Sequence, residues 1–410
     1  MTGRTPASIA EVIASGLCIG CGLCEAIGGK AHGMKMTAAG SLRPRNTRRL
    51  AAAHERLLLS ACPGIQVAPR SEAGGLNDPV WGCYRTMHHA WAGDSEVRFR
   101  AATGGVLTAL GMHLLRSGKV DFILHVRADP AAPLRSIWTM SESPADVLAA
   151  TGSRYGPAAP LAGLTAALER GQPFAIIAKP CDLSTVHNLS ASDPRVDELC
   201  IYRLALVCGG QSRLRKSQRL LQEIGITEDD LKVFRYRGHG NPGVTHIETR
   251  NGDVHERTYA ELWENEAGWE IETRCKLCPD ALGEAADIAA SDAWPGGAPV
   301  GEDEGFNGAI VRTDAGEALM SDAVATGDIV LGEPITPDRF NILQPHQVNK
   351  KVSLKARYQG MTRAGSPLLQ TQGLRINELS QHLSAEDFEH QMLGTEERVR
   401  IGRFSEDVEV

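Results

Sequence analysis

The sequence predicts a mixed α/β protein: a central mixed β-sheet core, with a small helical, ferredoxin-like cysteine module before it. Three observations lead there. Apolar runs such as PFAIIAKPCD and YRLALVCGG read as buried strands that each end in a cysteine loop. Apolar helical stretches such as VLTALGMHLLRSG alternate with them, the order expected of an α/β core. A separate cysteine run, CIGCGLC, precedes all of this.

SIAEVIAS reads as a short helix running into the first cysteine loop, and residues 48–60 as a second helix ending before Cys62 and Pro63. The Gly- and Pro-rich stretch from about 63 to 82 reads as a linker. A new unit opens near Trp81. Its RFRAATGGVLTALGMHLLRSG is a Gly-bearing turn opening an apolar helix that closes at Gly118, and KVDFILHVRA is a strand. Residues 160–170 and 212–224 are helical, and VFRYRG and VTHIETR are strands around an N-P-G turn. Residues 345–363 form a basic helical tail, and the remainder of the chain is polar and peripheral. The chain is thus divided into 1–80 (cysteine module and linker), 81–345 (core) and 346–410 (tail).

Composition narrows the function. The apolar fraction is 42% and the charged fraction 23%, ordinary for a soluble globular protein. Forty-three glycines suit a chain that brings backbone close to cofactors. A net charge of −7 without a basic block argues against nucleic acid as a partner. The N-terminus lacks a basic region followed by an apolar one, and no stretch approaches the ~18 apolar residues of a membrane span. The expectation is a cytoplasmic protein, whose 10 cysteines are then metal ligands rather than disulfides.

Cys18, Cys21 and Cys24 lie at every third position, and Cys62 is followed by Pro63. Bacterial ferredoxin clusters use such a C-x2-C-x2-C run with a Cys-Pro. Here the fourth cysteine is displaced to 38 positions after Cys24. Zinc is the competing reading, but three cysteines at this spacing are uncommon for it, so the set reads as a 4Fe–4S site. The second set is Cys181, Cys208, Cys275 and Cys278. Two single cysteines at strand ends converge on one edge of an α/β core. Spacing alone leaves zinc and a cluster equally open for these four.

Seven ordered motifs, CIGCGLC, ATGGVLTAL, GSRYGP, AKPCD, VCGG, RYRGHGNPG and RCKLCPDALGEAADIAASDAW, span residues 18 to about 295. Together they resemble the beta-subunit family of coenzyme F-420 hydrogenases and dehydrogenases, and within it the iron–sulfur flavoprotein branch of 7-hydroxymethyl chlorophyll a reductase and ferredoxin-dependent divinyl chlorophyllide 8-vinyl reductase. The resemblance implies FAD and makes the second cysteine set one 4Fe–4S site. Departures are Arg154 where Lys is common, Ser291 before Asp292 where Gly is common, and Ala102-Thr103 at the start of a Ser-Gly-Gly motif.

By itself Thr103-Gly104-Gly105 reads as a plain N-cap and turn; with the resemblance it becomes a pyrophosphate seat at a helix N-terminus. Ser153, Arg154 and Tyr155 are candidate flavin contacts, and Lys179 and Asp182, flanking Cys181, candidate tuners of flavin or cluster, against a solvated loop. GHGNPG spells G-x-G-x-x-G but is followed by strand rather than helix, so it reads as a hairpin near the flavin, with Arg235, Arg237 and His239 as candidate contacts. Tyr155 and His239 are the candidate proton donors. Cys83 and Cys200 read as buried hydrophobes. The expected function is a reductase: ferredoxin or a similar one-electron carrier delivers electrons through two 4Fe–4S clusters to FAD, which reduces a small organic substrate, in a homo-oligomer. The competing expectation is an electron-transfer beta subunit, with a partner subunit, that reduces coenzyme F-420.

Overall fold

The computed structural model describes residues 3–45, 50–70 and 72–406. Side chains alternate across a strand, so a strand buried on both faces must be apolar throughout. Phe174–Ala178 is such a strand: Phe174, Ile176 and Ala178 join one core, Ala175 and Ile177 the other. The same split puts Phe122 and Leu124 on one side and Ile123 on the other. Phe122 and Phe174 stack at 5.1 Å. Each is fully buried, which contributes roughly 1.5–3 kcal/mol per side chain.

The strands used below are β1 (Thr86–Ala92), β2 (Phe122–Ala128), β3 (Ser136–Ser141), β4 (Phe174–Ala178), β5 (Cys200–Leu206), β6 (Leu231–Arg235), β7 (Thr245–Thr249), β8 (Val254–Arg257), β9 (Ile288–Asp292), β10 (Asn307–Val311) and β11 (Ile329–Pro334). Eight of them form one mixed sheet in the order β11-β1-β10-β9-β5-β4-β2-β3. β9, β5, β4 and β2 run parallel, and the outer strands pair antiparallel. Helices cover both faces. Val106–Arg116 and Asp314–Ala325 lie over one, Leu164–Glu169 and Pro180–Ser190 over the other. β6, β7 and β8 make a separate antiparallel sheet. The GHGNPG segment joins β6 to β7, so no helix follows it and no dinucleotide-binding turn forms.

The helix expected over 48–60 spans Ala52–Ala61; positions 48 and 49 lie outside the described residues. It packs against helix Pro180–Ser190 of the core. The basic tail forms two helices, Pro345–Val352 and Leu354–Arg363. The polar end of the chain is not peripheral. Helix Ala385–Arg400 lies on Leu354–Arg363 so closely that a Cβ at Gly360 would collide with the Met392 carbonyl. Val12, Leu17, Ile65 and Val67 share one core with Leu354, Tyr358, Met361, Leu374 and Phe404, so the first and last segments of the chain fold as one body. Among the described residues no helix is long and apolar enough to cross a membrane.

Candidate redox site

The first cysteine loop is shaped by two glycines in the left-handed region, Gly20 at φ 70° and Gly22 at φ 95°. A side chain at either would collide with backbone, Leu42 O at Gly20 and Ala162 N at Gly22, so only glycine fits. The loop then enters the short helix Leu23–Gly28, and Cys62 arrives at the C-terminus of Ala52–Ala61. The four thiols are mutual electrostatic neighbours: Cys21 and Cys24 each feel Cys18 and Cys62, and Cys62 feels Cys18. Backbone N–H groups point at the sulfurs, from Gly20 to Cys18 and from Gly64 and Ile65 to Cys62. Burial and the neighbouring thiol push Cys62 up to about 12. Four clustered thiols, Cys21 buried and the others half-buried, that repel one another as thiolates suit a multivalent cation or cluster.

The second set gathers where the parallel strands end. Cys181 sits in the first turn of helix Pro180–Ser190, just beyond β4, and Cys208 two residues beyond β5. Helix Thr273–Lys276 presents Cys275, and Cys278 follows it. All four line a cavity of about 20 Å³, with Lys179, Gly210, Arg274 and Lys350. Burial and the thiols of Cys208 and Cys278 push Cys275 up to about 12, although the Gln211 N–H donates to its sulfur at 3.3 Å. Lys350 Nζ donates to Gly209 O at 2.9 Å and so ties the tail helix to the Cys208 loop. Arg274 is buried between the two sets. It donates to Pro63 O at 3.0 Å beside Cys62, and its other electrostatic neighbours include Cys278, Cys181 and Cys275. Among the described residues no three His, Cys, Asp or Glu side chains converge as ligands of a single ion.

A larger cavity, about 380 Å³, opens against the same strand ends. Val126 of β2, Ile177 and Ala178 of β4, Leu206 of β5 and Ser291 and Asp292 of β9 form its floor, the place where ligands gather in α/β sheets. Of the residues expected at a flavin, Thr103, Gly105, Ser153, Arg154, Tyr155, Lys179, Asp182 and Arg237 all line it. Gly104 does not. It lets the turn press on the sheet, where a Cβ would meet Asn307 N at 2.8 Å and Ala90 O at 2.9 Å. His239 also lies outside the lining, its ring 5.4 Å from Phe99.

Arg237 organises one wall. Its guanidinium donates to Asp292 at 3.1 Å, Thr103 Oγ1 at 3.1 Å, Tyr155 Oη at 3.3 Å and Pro242 O at 3.1 Å, over the ring of Trp294 at 4.8 Å. Burial opposes its charge, but Asp292, Tyr155 and Tyr259 together outweigh burial and keep it ionised. Thr103, at φ 61°, is held by Asp292 and Arg237 through its hydroxyl. Arg154 does something the sequence did not suggest. Its donors go to Ser136 Oγ and to the carbonyls of Pro133, Leu134, Arg135 and Phe234, so it braces the wall rather than offering free N–H groups. Lys179 and Asp182 are a buried pair at 2.8 Å, not a solvated loop; burial opposes the Lys179 charge, and Asp182 and Cys181 restore it.

The lining also includes residues without a motif: Tyr259, Trp269, Trp294, His346 and Gln347. Burial, with Lys350 and Arg357 nearby, pushes His346 down to about 4, so its ring is neutral at pH 7. The cavity suits a flavin nucleotide on three counts. Among the described residues, Asp182 Oδ1 and Gln211 Oε1 are buried acceptors without a hydrogen-bond partner. A Cβ at Gly209 would meet no atom within 4 Å, so the backbone there is open to a bound group. Gly105 caps the N-terminus of helix Val106–Arg116, an anion seat.

The family described as coenzyme F420 hydrogenase/dehydrogenase, beta subunit, matches with its N-terminal part over residues 87–165 and its C-terminal part over residues 171–336. F420-dependent formate dehydrogenase 1 subunit beta of Methanococcus maripaludis is 26% identical over 60% of this chain and 62% of its own length. Coenzyme F420 hydrogenase subunit beta of Methanococcus voltae is 23% identical over 60% of this chain and 84% of its own. Coenzyme F420-dependent sulfite reductase of Methanocaldococcus jannaschii is 23% identical over 53% of this chain and 34% of its own. The chain therefore spans less than two thirds of the formate dehydrogenase subunit it matches. A chain of the F420-reducing [NiFe] hydrogenase complex from Methanosarcina barkeri shares the fold, with a TM-score of 0.56 at 21% identity over 72% of this chain and 98% of that one. With two successive halves of one family matched in order, the chain belongs to the coenzyme F420 hydrogenase/dehydrogenase beta subunit family.

Proposed function

We propose that this chain is an iron–sulfur flavoprotein oxidoreductase that passes electrons between two four-cysteine sites and an organic carrier of the coenzyme F420 type, beside a partner subunit. One observation carries the reading: Lys179, Cys208 and Gly210 line both the cavity of about 380 Å³ and the four-cysteine cavity, so a group in one touches the wall of the other. When bound, 4Fe–4S clusters supply single-electron storage and FAD the change between one- and two-electron chemistry. The residues of the chain do the rest. Cys18, Cys21, Cys24 and Cys62 hold one cluster, and Cys181, Cys208, Cys275 and Cys278 the other. Each set supplies four thiols, the ligand number of a 4Fe–4S cluster. Thr103, Gly105 and the helix behind them seat the pyrophosphate. Arg237 positions Tyr155, whose hydroxyl gives or takes the proton. The buried Lys179–Asp182 pair sets the local field between cofactor and cluster.

The names of the relatives favour a subunit of a hydrogenase or dehydrogenase complex over a free-standing reductase. A specific observation keeps the second reading, a homo-oligomeric ferredoxin-dependent reductase: Cys18–Cys62 lies outside the matched residues 87–336, as an added electron port would. The test is anaerobic purification with iron, sulfide, zinc and FAD analysis, then reduction by F420H2 or by ferredoxin. A brown, FAD-containing protein whose flavin bleaches with F420H2 and which co-purifies with a second polypeptide meets the first reading. Bleaching by ferredoxin alone favours the second. A colourless, zinc-containing preparation sinks both.

A further inference from the structure

Lys276, the last residue of helix Thr273–Lys276, is exposed between Cys275 and Cys278. Its electrostatic neighbours are Arg398, Arg213, Arg403 and Arg357, brought there from four places in the chain. Arg213 precedes helix Leu214–Glu223, Arg357 lies on Leu354–Arg363, Arg398 lies near the end of Ala385–Arg400, and Arg403 lies in the turn beyond. Their packing is defined. Arg357 Nη1 donates to Lys276 O at 2.7 Å and its Nε to Gln391 at 2.9 Å, and the Arg403 N–H donates to Arg398 O at 2.9 Å. Arg213 faces Glu272 and Glu406, each at 3.8 Å, but both acids already hold Arg43, at 2.8 and 2.7 Å. Among the described residues Lys276, Arg357, Arg398 and Arg403 have no carboxylate partner. Five cations thus crowd one spot on a chain of net charge −7. Such crowding repels itself and weakens the fold unless an anionic surface answers it.

We propose that this patch docks an acidic, one-electron carrier protein, which exchanges electrons with the site formed by Cys181, Cys208, Cys275 and Cys278. The proposal rests on the iron–sulfur reading of that site. Charge complementarity chooses the partner: planar guanidinium groups meet carboxylates in pairs, and the single-sign field steers an acidic surface from a distance. Position chooses the role. Lys276 adjoins Cys275 in sequence, and the Tyr358 hydroxyl, on the same helix as Arg357, donates to Leu277 O at 3.2 Å. The docked carrier therefore sits over the ligand loop. One electron leaves the carrier, which is oxidised, and enters the thiolate-held site, which is reduced; no bond breaks and no proton moves.

The test uses the full, cofactor-loaded chain in anaerobic stopped flow. One arm supplies a reduced bacterial ferredoxin of net negative charge, the other a reduced zwitterionic viologen. In the wild type the ferredoxin rate falls steeply as salt rises and the viologen rate does not. Arg398→Glu with Arg403→Glu lowers the ferredoxin rate at low salt at least tenfold, on the order expected for lost steering, and leaves iron content and viologen rate unchanged. The milder pair Arg398→Gln and Arg403→Gln gives an intermediate fall and serves if the reversal does not fold. A ferredoxin rate indifferent to salt, or equal in wild type and folded variant, overturns the proposal. Iron-free protein is recognised by metal analysis before any rate is read and overturns the underlying reading instead.

Discussion

Lys351→Met removes a cation from a deeply buried ion cluster. Glu284 and Lys351 are 1% and 3% exposed, and Arg375 binds the other Glu284 oxygen. Lys351 also donates to Val80 O. Burial alone would push the Glu284 carboxyl up, but Lys351, Arg375 and Arg312 outweigh it and hold it below the usual carboxylate range. Removing one partner of a buried pair costs about 3–5 kcal/mol, and because Arg375 remains, the low end, about 3 kcal/mol, is expected here. Urea unfolding of wild type and variant at pH 7 measures it. The pH dependence has a definite sign. A carboxyl depressed in the folded state adds stability above its unfolded value, ~4.3, and that stability is lost as pH falls through the lower folded value. The gap between wild type and variant should therefore narrow toward pH 3. Adding Glu284→Gln to the variant should recover part of the loss, because it removes a buried charge that has lost one of its partners. A loss below about 1 kcal/mol at pH 7, or a gap that does not narrow in acid, refutes the reasoning.

Other expectations can be checked on the same protein. Cys24→Ala and Cys278→Ala should each remove about four of roughly eight irons, and the double variant nearly all; iron analysis showing no loss in either counts against the assignment. Tyr155→Phe should slow carrier reduction by roughly 10²-fold, the usual worth of a positioned proton donor. His239→Gln, outside the cavity lining, should change it far less; steady-state kinetics with the flavin fully loaded separates the two. Gly209→Val places a branched side chain in open cavity space, so it should fold normally yet lose FAD on gel filtration; full retention of flavin would show that the cofactor does not approach there.

Much of the sheet was legible because β4 and β5 are short apolar runs closed by Lys-Pro-Cys and Cys-Gly-Gly, a pattern helices do not give. The strand nature of VTHIETR likewise settled the GHGNPG segment. Site details were legible where chemistry is local and lost where it is tertiary. Arg154 looks like an anion ligand until the carbonyls of Pro133 and Phe234, far apart in sequence, claim its donors. Lys350 and Lys351 fall in a stretch that reads only as a basic helical tail, yet both turn inward, because Gly209 O and Glu284 wait for them. Tyr259, Trp269 and His346 belong to no motif, and only the folding of three separate segments onto the strand ends makes them one wall.

The core shared by the two ends of the chain sets an order of events during synthesis. Leu17, next to Cys18, packs with Leu354, Tyr358 and Phe404, and Arg43 reaches across to Glu406. Cys18, Cys21 and Cys24 leave the ribosome well before Leu354–Phe404 and have no closed pocket until that segment emerges. Metal loading at the first cysteine set then waits for the segment from Leu354 to Glu406, and truncation before Leu354 should leave that set exposed and iron-free while the sheet core can still form.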